Sequence, residues 1–330
     1  ASRYPDGSTW QSLAAYASAQ IELSDNTHLQ TGLRYNHILL SADFSDNNEF
    51  FAFPFQNADL STGNLTGSFG VTHEVSKKVS VKANVGTAFR APNIDDVGKI
   101  FDSEPGSVVV PNPDLKSEYA YNGELGVSLN FSNVLQFDVN GYYTLLENAL
   151  VRRDFNLNGV TEIEYQGETS NVQAIQNASK AEVYGVEIGA NANLTKHLKL
   201  TSQFNYTSGV EQEEDGSYVP FRHVAPLFGN GHLIWAKDKW TLDASVAYSG
   251  KFDFDELAPS QQSNSHLYAL DGDGNPFSPS WYDLSIASRY VLSDSWSFTA
   301  NLENITDQRY RTYSSGIAAA GRNLILAATY

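Results

Sequence analysis

Cysteine is absent from this 330-residue chain, and so is methionine. The first absence excludes disulfides and thiol chemistry without fixing a compartment. The second extends to position 1: the chain opens Ala1-Ser2-Arg3 with no charged-then-apolar signal segment. The expectation is that it is not a complete translation product. Basic residues are scarce, 21 Lys and Arg against 38 Asp and Glu, for a formal charge of -17. Such a chain repels phosphate, so nucleic acid is excluded as a partner. No run of about 18 apolar residues exists, so no helix can cross a membrane. A β-barrel in a bilayer leaves the same gap, because half of each strand is polar. Missing too are a G-x-S-x-G nucleophile elbow, a Gly-rich phosphate loop, a zinc-type His pair and a nicotinamide fingerprint. No catalytic residue is assigned, and the chain is read as a non-enzyme.

What is present is alternation. Trp296, Phe298, Ala300 and Leu302 fall on one face, and Ser297, Thr299, Asn301 and Glu303 on the other. Trp240, Leu242, Ala244, Val246 and Tyr248 oppose Thr241, Asp243 and Ser245. Leu135, Phe137, Val139 and Tyr143 oppose Gln136, Asp138 and Asn140. Period two means strand, since successive side chains point to opposite faces. One face wants an apolar medium and the other wants water. A barrel with lipid outside and a wet lumen supplies both. The 18 Tyr, 18 Phe and 24 Gly suit such a protein; a sandwich core is the competing explanation of the aromatics. A propeller would repeat about every 40 residues, and no such repeat is present.

Period-two runs predict roughly thirteen strands, near 9–24, 28–45, 63–76, 78–90, 117–132, 134–154, 178–194, 197–210, 222–236, 239–252, 280–292, 295–306 and 321–330. Tight turns fall at Asp25-Asn26-Thr27, Lys77, Asn133, Thr195-Lys196, Lys237-Asp238 and Asp294. Long connections cover 46–62, 91–116, 155–177, 211–221, 253–279 and 307–320. The two kinds alternate, as short inner turns and long outer loops do in outer-membrane barrels. Trp235, Trp240 and Trp296 lie close to tight turns, where an interfacial belt places them, and Trp281 and Tyr282 suit the opposite belt. Asn158-Gly159, followed by Val160 to Tyr165, predicts a hairpin standing beyond the membrane. The chain reads as one domain over 1–330, or as part of one.

Several motifs follow in order. Phe89-Arg90-Ala91-Pro92 precedes Asn112-Pro113-Asp114-Leu115-Lys116-Ser117-Glu118, then Tyr121-Asn122-Gly123-Glu124-Leu125-Gly126. Val183-Tyr184-Gly185-Val186-Glu187 and Asn301-Leu302-Glu303-Asn304-Ile305-Thr306-Asp307-Gln308-Arg309-Tyr310 come next. Gly321-Arg322-Asn323 then opens a last strand in which Leu324, Leu326, Ala328 and Tyr330 share a face. The ordered set, from about 80 to 330, resembles TonB-dependent outer-membrane receptors. That resemblance implies an all-β, antiparallel, up-and-down transmembrane barrel of about 22 strands closed by an N-terminal plug. The chain would supply the thirteen C-terminal strands. The plug, its TonB-contacting box and about nine strands are then expected on another chain or fragment, because open sheet edges are not tolerated in lipid. The resemblance further implies residence in the bacterial outer membrane and active import of a scarce ligand. An iron chelate, siderophore or haem, is the expected cargo. Cobalamin, an oligosaccharide or a peptide is the alternative within the family, and a passive porin the alternative outside it.

Candidate ligand contacts come from the long loops. Phe51 and Phe53, with Phe50 and Phe55, offer rings that can stack on a flat ligand, or else pack the loop against its neighbours. Arg90 and Arg222 can pair with an anionic ferric chelate; Arg90 can equally hold the Asp95-Asp96 loop start. His223 and His266 can ligate metal, although His223 also suits a structural place at a strand start. Haem receptors of this family often carry a His between the motifs that correspond to Phe89-Arg90-Ala91-Pro92 and Asn112-Pro113-Asp114-Leu115; here the interval 93–111 has none. No resident cofactor and no metal site is assigned. Asp271-Gly272-Asp273-Gly274-Asn275 resembles the opening of a calcium loop, but Tyr282 stands where a bidentate Glu is needed. A turn is the preferred reading there, with loosely bound calcium the alternative. The series from Asp154 through Asn156 and Asn158 fails likewise at Tyr165.

Overall fold

The computed structural model describes every residue except 1–2, 52, 105, 133, 178–179 and 214. The turn expected at Asn133 therefore lies outside the described residues. The main sheet has fourteen strands. Thirteen follow one up-and-down path: β1 (Asp6–Ser24), β2 (Thr27–Asp43), β3 (Asn57–Ser76), β4 (Val79–Arg90), β5 (Glu118–Phe131), β6 (Leu135–Glu147), β7 (Lys180–Thr195), β8 (Leu198–Gln212), β9 (Phe228–Lys237), β10 (Trp240–Ser249), β11 (Trp281–Val291), β12 (Ser297–Glu303) and β13 (Asn323–Thr329). The fourteenth, Tyr218–Pro220, folds back onto the end of β8. Each predicted strand has its counterpart. Among the described residues β1 and β13 have one partner each, so the wall is an open, antiparallel sheet.

Register puts the alternation to use. In the β10–β11 pair Ser245 faces Ser285 and Asp243 faces Ala287 on one side, while Val246 faces Leu284 and Ala244 faces Ile286 on the other. In β12–β13, Phe298 meets Ala328 and Ala300 meets Leu326 on the apolar side. Leu326 is 71% exposed and Phe298 43%. Among the described residues no second sheet covers them, which excludes the sandwich. The opposite, polar side lines a trough of about 1240 Å³, with Gln30, Lys82, Glu124, Asn140 and Asn205 along it. Close approach across this side needs glycine at position 185. Tyr142 lies over it to bond Thr207 at 2.7 Å, and a Cβ there would sit 2.6 Å from the Tyr142 hydroxyl.

Trp240 and Trp296 stand on the apolar side by the short turns, against Tyr290 and Tyr330 at 4.7 and 4.9 Å between ring centroids. At the other end Tyr282 takes the belt position, 45% exposed. Trp281 does not. Its strand position is one residue off, so it points to the trough side and stacks on Tyr310 instead.

The long-loop end departs from expectation in informative ways. β1 and β3 run 19 and 20 residues, against the roughly 9–11 that span a bilayer, so the wall continues beyond the membrane. β3 starts at Asn57 rather than 63, and the first loop closes around a short helix, Ser45–Phe51. The predicted strand 134–154 is two strands. Asn148, at φ 56°, breaks it after Glu147, and Leu150–Asp154 leaves the wall. A predicted loop hides a ten-residue strand, Glu168–Asn177. It pairs with Leu150–Asp154, with Glu162–Tyr165, and in parallel with Ser107–Val110, which in turn pairs with Phe101–Glu104. The hairpin expected around Asn158-Gly159 turns instead at Gln166-Gly167, both at positive φ. Asn158-Gly159 closes a smaller turn between Leu157 and Val160.

This second, five-stranded sheet caps the main apolar core. Phe44, Val97, Ile100, Val108, Val110, Val172 and Ala174 are all at most 2% exposed. They pack on the inward-facing ends of β2 and β3 through Leu40, Ala42 and Ala58. Burying each large apolar side chain contributes about 1.5–3 kcal/mol. The hydrophobic effect here holds the second sheet and its loops to the ends of β2 and β3.

Candidate functional site

The loops that crown the wall gather most of the residues singled out by sequence, but in two separate bodies. The first is the core just described. Phe53 is 7% exposed within it. Its ring stacks on Phe51 and Phe55 at 5.6 and 5.5 Å and meets Phe44 edge-on at 6.0 Å. Phe51 stacks in turn on Tyr165 at 6.2 Å. Phe53 is therefore a packing residue with its faces taken, which corrects its expected exposure. Phe50 alone of the four is well exposed, at 67%.

Arg90 leads into the same body. It ends β4 on the trough side and donates to Asp96 Oδ1 at 2.6 Å. Asp96 also accepts from the Asn93 amide, while Asn93 accepts from the Asp96 amide. This reciprocal cap starts the short helix Ile94–Gly98. The guanidinium is thus engaged at the loop start, and 46% of its side chain remains exposed.

The second body is built from 215–227, 250–280 and 304–322. Gln261, 2% exposed, ties it together: its amide donates to the Tyr268 hydroxyl at 2.8 Å and its oxygen accepts from Tyr313 at 2.9 Å. Burial pushes the Tyr313 hydroxyl's pKa well up, so it remains a donor. Arg222 and His223 lie at its edge. His223 sits at φ 66°, with Nδ1 3.5 Å from the Ser314 hydroxyl. Desolvation, then the Arg222 and Arg152 guanidiniums, lower its pKa, leaving a neutral imidazole at neutral pH. His266 is exposed, and its carbonyl accepts from Arg311 at 3.1 Å. Among the described residues no cluster of three or more His, Asp or Glu is placed to hold a metal. Asp271 spends Oδ1 on the amides of Asp273 and Asn275 at 2.9 and 2.8 Å, which lower its pKa and close a tight turn.

Sequence reading missed the residue that joins the two bodies. Arg153, on the crown sheet, donates to the Gln212 carbonyl at 2.8 Å, and its Nε lies 3.6 Å from Glu213 Oε2. Glu211, 8% exposed, stands beside it with Oε2 unpartnered, and the Nε atoms of Arg153 and Arg222 also lack a hydrogen-bond partner. No motif marks these residues. Only the fold brings 153, 211 and 222 together.

The arrangement is a wall with one greasy face, one wet face and a structured crown at one end. Several known proteins are similar to this chain. The ferric enterobactin receptor of Pseudomonas aeruginosa is 24% identical over 96% of this chain and 40% of its own length. The vitamin B12 transporter BtuB of Photobacterium profundum is 22% identical over 75% of this chain and 34% of its own. The solved copper transporter OprC superposes with a TM-score of 0.74 at 16% identity, covering 97% of this chain and 48% of that one. The chain thus spans less than half the length of these proteins. Residues 1–305 match the family model described as TonB dependent receptor-like, beta-barrel, and the chain belongs to that family.

Proposed function

We propose that this chain is the C-terminal wall of a TonB-coupled importer whose cargo is an iron chelate. The observation that carries the reading is the two-faced wall with a polar trough. Such a surface gains nothing in water, but in a bilayer it encloses a hydrated passage. The unpaired edges of β1 and β13 support a barrel completed by further strands, and the trough offers a polar seat for a plug. Energy then enters through the plug, pulled by TonB and driven by the inner-membrane proton gradient. Nothing in the wall performs covalent chemistry.

An iron chelate is preferred because the ferric enterobactin receptor matches nearly the whole chain, crown included. Cobalamin is the second reading, favoured by the match to a vitamin B12 transporter over a shorter span. The exposed part of Arg90, together with Arg222, is the proposed contact for an anionic chelate. The test is uptake by cells that carry the full-length receptor as their only such importer. Labelled ferric chelate should accumulate, and its accumulation should cease on loss of TonB or of the proton gradient. Uptake of cobalamin alone would overturn the cargo. Diffusion of small solutes that is indifferent to TonB would overturn the importer and favour a porin.

A further inference from the structure

An open cavity of about 270 Å³ lies at the long-loop end of β11, lined by residues of 267–269, 278–281 and 308–318. Trp281 and Tyr310 form one side, ring on ring, with centroids 4.3 Å apart and planes 17° from parallel. The Tyr310 hydroxyl is committed elsewhere. It donates to Asp283 at 3.0 Å, and burial together with that bond holds its pKa up at about 12. Tyr310 therefore offers the cavity a ring and no spare proton. Tyr268 adds a third ring.

Arg309 and Arg311 line the same space. Arg311 is bonded to the His266 carbonyl. Arg309 has no ion-pair partner among the described residues. Two guanidiniums together are conspicuous in a chain of charge -17, and they select for an anion that can take forked hydrogen bonds. Rings and guanidiniums combined suit a flat, electron-rich, negatively charged group. Size narrows the choice. A cavity of about 150 Å³ holds benzene, whereas pockets for whole drug-sized ligands measure about 300–1,000 Å³. This one fits a single substituted ring.

We propose that the cavity is a subsite for one planar aromatic ring bearing an anionic oxygen, stacked beside Trp281–Tyr310 and paired with Arg309. Its biological role, seating one arm of the cargo, rests on the importer reading; ring binding itself does not.

The full-length receptor, labelled with 5-fluorotryptophan and purified in detergent, is titrated with 2,3-dihydroxybenzoate and followed by fluorine NMR. Trp281→Phe assigns the resonance. The Trp281 signal should shift saturably, Trp240 and Trp296 should not move, and benzyl alcohol should bind at least tenfold more weakly. R309Q should weaken binding about tenfold while the Trp240 and Trp296 signals report an intact wall. A silent Trp281 resonance, or equal affinity in R309Q, overturns the subsite. Uptake measurements separate the two readings. Ring binding without chelate uptake sinks the importer and spares the subsite; chelate uptake with Trp281 silent does the reverse.

Discussion

The wall and its crown bury hydrophobic surface by opposite rules. In the crown, Phe44, Val108 and Val172 meet other protein atoms on all sides and are at most 1% exposed. In the wall, Leu13, Leu125 and Leu326 meet none on their outer side and are 66%, 59% and 71% exposed. The crown is a small water-soluble core made of loops. The wall has no core, and its apolar face is finished by solvent of another kind. The wall is therefore stabilised by backbone hydrogen bonds and lipid, and the crown by packing against itself and the tops of β2 and β3.

That contrast can be broken by substitution. Phe44→Ala should have the largest effect, about 3–5 kcal/mol for a fully buried aromatic, and it should loosen the crown alone. Hydrogen exchange would show faster amides in 101–110 and 168–177 and unchanged ones in β5–β8. Equal loosening of the wall would mean that the two regions are one cooperative unit. Next comes Leu125→Arg, near the middle of β5. Facing lipid, it should cost about 2–4 kcal/mol; facing water it would lie within about 0.5 kcal/mol. Urea unfolding of the full receptor in vesicles decides which.

Asp96→Ala removes the partner of Arg90 and one half of the helix cap. A cost of about 1–3 kcal/mol is expected, confined to exchange at 93–98, along with a freed Arg90. The smallest effect belongs to His223. Its folded pKa lies below the ordinary 6.5, so just below that value the unfolded chain binds more protons. Crown stability should then decline as pH falls from 6.5 toward the lowered pKa and level off beneath it. His223→Gln should flatten that slope in a thermal melt, and an unchanged slope would assign the titration to another group.

How much of this was legible depends on where apolar residues alternate with polar ones. β6, β10 and β12 were readable because each shows a period of two over its membrane part. Trp281 was misplaced because belt and trough positions differ by a single residue at the strand's first position. Glu168–Asn177 went unseen because its buried positions are Ser170, Val172 and Ala174, too small to stand out. Its parallel partner, Ser107–Val110, lies some sixty residues earlier, which no local pattern can announce. Arg90 carried two readings, and the bond to Asp96 assigns the loop-start role without closing its exposed part to a ligand.

Sequence alone determined the thirteen strands of the wall's up-and-down path, the two faces of the wall and the end at which the loops are long. Those follow from a two-residue period and from turn length, both local properties of the chain. Only tertiary structure decided that the loops form a core, that Phe53 lies inside it, and that Arg153 meets Gln212 and Glu213. Those contacts join segments distant in sequence, and packing between such segments depends on shape in three dimensions, which periodicity does not encode.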